Sequence, residues 1–171
     1  MNIMKNLLLR NLLFYWGISF FLAVLVYYAL WLIIPEHYVF GTFIKMPAYH
    51  WEYPIAYIAI PCFFYGIFAT IFTKKFIKLA IWGQVLITFA IAILTIVASS
   101  PFGGMLWHYH NMKAGYFPAN WADIIFKDGF IHGIMLGWLI ILLSIPYNVI
   151  GLIISYFIIK KRANLFYRKS K

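Results

Sequence analysis

A chain of 171 residues that is 65% hydrophobic and only 11% charged, with a mean hydropathy of +0.87, departs from soluble domains, which run at about 45–50% apolar and about 25% charged. Its net charge of +10 would suggest nucleic acid in a soluble protein, but the positions of the basic residues point to membrane topology instead. The single cysteine, Cys62, excludes an intramolecular disulfide and any multi-cysteine metal site.

The first apolar run, 11–34, lacks charge and is rich in aromatic residues. It exceeds the usual signal-peptide core of about 7–15 residues. Tyr27, Tyr28 and Trp31 occupy the place a cleavage site would need, so a retained helix is expected. Pro35 ends it, because proline has no N–H to continue a helix. Residues 35–53 follow as a polar loop containing Glu36, His37, Lys45, His50 and Glu52. A second run, 54–72, opens at Pro54, a favourable first-turn position, and carries Pro61 as an expected kink and Cys62 as a buried thiol. Lys74, Lys75 and Lys78 lie in a short connection that predicts a helical hairpin with the third run, 79–99. Gln84 is the polar side chain at depth in that run, and a helix–helix hydrogen bond is its expected role.

Residues 100–128 read as a second, longer loop, opening with Pro101, Gly103 and Gly104. Near its end, Asn120 is placed to cap a short surface helix with Asp123 at the third position and Trp121, Ile124 and Ile125 on its apolar side. The fourth run, 129–159, is long for one crossing at about 1.5 Å per residue. Pro146 and Asn148 interrupt it. A single tilted or kinked helix is expected rather than two crossings, which would strand the basic tail 160–171 on the wrong side. Gly129, Gly133 and Gly137 repeat the GxxxG spacing, which lets another helix approach, either from the same chain or from a second copy in a homodimer.

Eleven of the fourteen basic residues lie before the first run, between the second and third, or after the fourth. The positive-inside rule then places both termini in the cytoplasm and loops 35–53 and 100–128 outside. The expected fold is all-α: a multi-pass protein of a bacterial cytoplasmic membrane, with four transmembrane helices in an antiparallel bundle and an extracytoplasmic loop cap. Its first partner is the lipid bilayer, and nucleic acid is excluded.

All four acids (Glu36, Glu52, Asp123, Asp128) and all five histidines (His37, His50, His108, His110, His132) fall on the outer side. His108 and His110, two apart, share a side if their segment is extended. The plain alternative is an interfacial belt of Trp107, Tyr109 and both imidazoles. Asp128 and His132, four apart, share a helix face, so the carboxylate could orient the imidazole; an Asp meeting a helix N-terminal dipole is the simpler account. His108, His110, Asp128 and His132 are thus the candidate catalytic residues. His50, His108, His110 and His132 are candidate metal ligands, suited to a transition metal (zinc, copper or iron), although no established ligand spacing is present. Ser99 and Ser100 have no nucleophile-elbow context. Two functions follow. One is an extracytoplasmic His/carboxylate site that binds a metal or performs acid–base chemistry on a lipid or lipid-linked substrate. The other is a non-enzymatic accessory, immunity or assembly subunit that packs against a membrane-protein partner through the glycine stripe.

Overall fold

The computed structural model describes residues 2–35, 54–116, 122–143 and 145–168, with side chains described for 8–35, 55–116, 122–136 and 145–165. Among the described residues all regular structure is helical. Helix α1 is Asn2–Ile33, α2 is Pro54–Phe76 and α3 is Ile81–Lys113; a π-helical stretch, Asp123–Gly129, leads into α4, Phe130–Leu143, and α5 is Ile145–Arg168. Three of these helices contain stretches long and apolar enough to cross a membrane: Leu8–Ile33, Ile55–Phe76 and Ile81–Lys113. The fourth apolar run is not among them. Residue 144 lies outside the described residues, and the run is described on either side of it as α4 and α5. Pro146 lies within α5.

The outward faces of α1, α2 and α3 are studded with exposed Leu, Ile, Val, Phe and Trp, as at Phe21, Leu32, Trp82, Leu86 and Val97. Such faces suit a lipid surrounding, where helices associate chiefly through close packing and internal hydrogen bonds. One buried cluster joins Tyr15 (α1), Tyr65, Ala69 and Phe76 (α2), Ile91 (α3), and Ile159 and Ala163 (α5). Hydroxyls within it are paired: Tyr15 Oη with Thr73 Oγ1 at 2.7 Å, and Ser155 Oγ donating to Tyr65 Oη at 3.0 Å. Gln84 makes the helix-to-helix bond its position suggests, accepting from the Tyr156 hydroxyl at 3.3 Å. A second cluster gathers Tyr27, Ile58 and the buried thiol of Cys62.

The largest departure from the sequence reading concerns residues 100–113. They were expected to open a loop but continue α3 to Lys113. Pro101 lies inside this helix. The Ser100 hydroxyl one residue before it donates back to the Ile96 carbonyl at 2.7 Å, supplying a local side-chain bond near the position where proline removes a backbone one. The helix stops at Gly115, whose φ of 81° lies in the left-handed region open to glycine. Tyr116 N–H reaches the Asn111 carbonyl and Gly115 N–H the Met112 carbonyl, both at 3.0 Å, the paired bonds of a Schellman end.

Candidate functional site

Glycine builds the site. A Cβ on Gly104 would stand 2.6 Å from Gly133 Cα and would also meet the Gly129 carbonyl. One on Gly133 would stand 2.7 Å from Pro101 Cα, and one on Gly129 would stand 2.9 Å from Met105 Cα. Backbone thus rests on backbone, and no larger residue fits at any of the three positions. The glycines at 129 and 133 are covered by α3 of the same chain, so a homodimer seam there would have to displace α3. The surroundings of Gly137 lie outside the described side chains.

The same close approach brings two histidines together. Gly129 meets Met105 while Gly133 meets Pro101, so residue numbers rise along α4 as they fall along α3. Side chains tilt toward the N-terminus of their own helix. His108 therefore leans back along α3 while His132 leans the opposite way along α4, and their tips meet. His108 Nε2 and His132 Nδ1 are 3.0 Å apart, with the rings parallel to within 11°. His108 is buried at 8% exposure, whereas His132 is exposed.

His110 belongs to a different contact. In a helix, residues two apart are separated by about 200° around the axis, so the extended arrangement that would put His108 and His110 on one side does not occur. His110 is buried and faces α2, where the Tyr57 hydroxyl lies 3.4 Å from its Nδ1 and the two rings meet edge to face. Tyr57 was not singled out from the sequence. Its position, one turn into the helix that opens at Pro54, was the available signal for a side chain at the bundle's end.

Asp128 and Asp123 are exposed on the π-helical stretch. Asp128 is close enough for its charge to act on His108, but among the described residues no hydrogen bond or ion pair joins it to His132. The orienting contact expected of Asp128 is made by His108 instead, because His132 Nδ1 is directed at that ring. Ser99 and Ser100 both bond to the Ile96 carbonyl of their own helix.

Among the described residues there is no group of three or more His, Cys, Asp or Glu able to hold a metal ion. His108 and His132 converge and His110 does not, so the proposed four-histidine metal set is not assembled by its described members. Its fourth member, His50, lies outside the described residues, as do Glu36, His37, Glu52, Asn120 and Trp121. Comparison with protein-family models, with curated proteins and with solved structures gave no match.

Proposed function

We propose that this chain is a small integral membrane protein whose His108–His132 pair carries out acid–base chemistry on a lipid or lipid-linked substrate at the membrane interface. The observation that carries it is the 3.0 Å contact between His108 Nε2 and His132 Nδ1. At that distance one nitrogen bears the proton and the other the lone pair. When His132 Nδ1–H donates to His108, the exposed His132 has a lone pair on Nε2 and is a general base. When His108 Nε2–H donates, His132 carries its proton on Nε2 and can donate a hydrogen bond to a substrate oxygen. The first arrangement becomes a general acid by taking up one proton at His132 Nε2, and returning that proton to the leaving group restores it. After His132 takes a proton from a substrate hydroxyl, its Nδ1–H still points at the His108 lone pair, which stabilises the imidazolium. His132 is the catalytic residue in this scheme and His108 a positioning residue. Asp128 supplies a nearby negative charge.

We place this site on the outer face of a four-crossing antiparallel bundle, with both termini in the cytoplasm. The distribution of Lys and Arg supports that topology. So does the sense of the contacts: Tyr15 meets Thr73 while Tyr27 clusters with Ile58, and Gly133 meets Pro101 while Tyr156 meets Gln84. In this topology α4 and α5 together form the fourth crossing, descending along α3. A metal-dependent version would need ligands beyond the two paired imidazoles. The accessory-subunit reading would need a surface other than Gly129 and Gly133, which α3 already covers.

The test is lipid and lipid-linked extracts from cells making the wild-type chain, H108A, H132A and the double variant, compared by mass spectrometry. A change produced by the wild-type protein and abolished in both single variants, with membrane insertion intact, is expected. A double variant that alters lipids as the wild type does would end this reading. Metal analysis of the purified protein checks the alternative, which requires a stoichiometric metal lost in H108A.

A further inference from the structure

At the far end of the bundle from the histidines sits a cation whose partners among the described residues are all neutral. Arg162, near the end of α5, is half-buried. Its Nε and Nη2 both donate to Oδ1 of Asn11, at 3.1 and 2.8 Å, and its guanidinium carbon lies 4.4 Å from the centroid of the Phe14 ring. Asn11 is itself buried, at 4% exposure, so the acceptor is fixed and the guanidinium is held in one orientation.

No acidic side chain among the described residues neutralises it. The sequence has no Asp or Glu in 1–35, 54–122 or 129–171, the segments that supply every helix packed at this end. Arginine stays charged in proteins and carries five N–H donors in a planar fork. Asn11 takes two of them, which leaves three on the Nη1–Nη2 edge. That edge has the geometry for bidentate bonding to a phosphate. The surrounding charge has the same sign. Ile159 and Ala163, flanking Arg162 on α5, pack in one cluster with Tyr15 and Phe76, and Tyr15 bonds to Thr73. These contacts bring exposed Lys74 and Lys75, at the end of α2, and Arg10, at the start of the apolar part of α1, to the same end. Lys160 is engaged with Tyr156, its Nζ donating to the hydroxyl at 3.3 Å. Lys74 and Lys75 are exposed. Arg162 differs from them because its position is set by a buried partner.

We infer that Arg162, oriented by Asn11, is a binding site for one phosphate group of an anionic ligand, the headgroup of an acidic phospholipid being the source that a membrane supplies. The site is independent of the histidine chemistry.

The full-length protein in neutral detergent would be titrated with short-chain phosphatidylglycerol, with phosphatidylcholine of the same chain length and with inorganic phosphate, reading the thermal unfolding midpoint. Phosphatidylglycerol should raise the midpoint and phosphatidylcholine should not. R162Q should weaken the apparent affinity roughly tenfold or more, as expected for losing charge-assisted bonds, whereas K161Q at an exposed neighbour should change it less than about twofold. N11D is the second variant, useful even where R162Q fails to fold. It keeps both bonds to the guanidinium and supplies the missing carboxylate, so it should weaken phosphatidylglycerol binding as R162Q does. Inorganic phosphate reproducing the shift with the same variant dependence would keep the site and assign a free anion as its occupant. Unchanged affinity in R162Q and N11D, or a loss in K161Q equal to that in R162Q, would overturn the inference.

Discussion

The two ends of this bundle handle polar side chains in opposite ways. At the histidine end, ionisable groups meet each other or a phenol: His108 pairs with His132 and His110 faces Tyr57. At the basic end, cations among the described residues meet neutral groups, with Arg162 on Asn11 and Phe14 and Lys160 on Tyr156. Groups that can exchange a proton with one another are equipped for chemistry. A fixed cation with no anion is equipped for binding. The contrast teaches that the overall charge excess is not one property: one end pairs imidazoles with each other and with a phenol, and the other leaves positive charge for something outside the described residues to balance.

The strongest way to break this comparison is at His132. H132A should lower the proposed activity by about 10²–10⁴-fold, the usual range for a positioned acid–base group, with turnover of the identified lipid substrate as the measurement. An H132A protein with wild-type turnover would leave the histidine end with no more chemistry than the basic end. Next in size is the seam that brings the histidines together. G133L drives a side chain into backbone at Ser100 and Pro101 and should destabilise the fold by about 1–3 kcal/mol or more. It should also separate the paired imidazoles, which ¹⁵N shifts of the histidine rings would report. A smaller effect is expected from Y15F, which removes the hydroxyl bonded to Thr73 in the core at a cost of about 1 kcal/mol. Thermal unfolding in detergent should show this loss with the histidine signals unchanged, which tests whether the two ends are independent. The smallest is Y57F. Its hydroxyl sits at a long 3.4 Å from His110, so stability should shift by less than about 0.6 kcal/mol, the average for side-chain hydrogen bonds between helices in lipid. A large loss of turnover in Y57F would instead bring His110 into the catalytic site.

Several of these features were legible in the residue order. The apolar runs, the helix start at Pro54, the polar link at Gln84 and the buried Cys62 follow from composition and local stereochemistry. So does the separation of Asp, Glu and His from most of the Lys and Arg. The extent of α3 was also legible and was missed. Lys113, Gly115 and Tyr116 form a helix end, but Pro101, Gly103 and Gly104 read as a turn because proline and glycine usually punctuate structure. Here the same glycines serve as a packing surface. A residue whose lack of a side chain is used by a neighbouring helix cannot be told, from sequence, from one whose freedom is used by a turn.

By itself, then, the sequence determined the membrane-suited, helical character of the described residues. Hydropathy and charge placement act locally and need no partner to be read. Only the tertiary structure decided which histidines meet. The pair is His108 with His132 rather than His108 with His110, because helical geometry turns positions two apart to different faces and a glycine seam brings positions 24 apart together. It alone showed Arg162 held by an asparagine 151 residues away. Both outcomes depend on how closely two backbones approach, a quantity set by packing between helices and absent from the periodicity of either one.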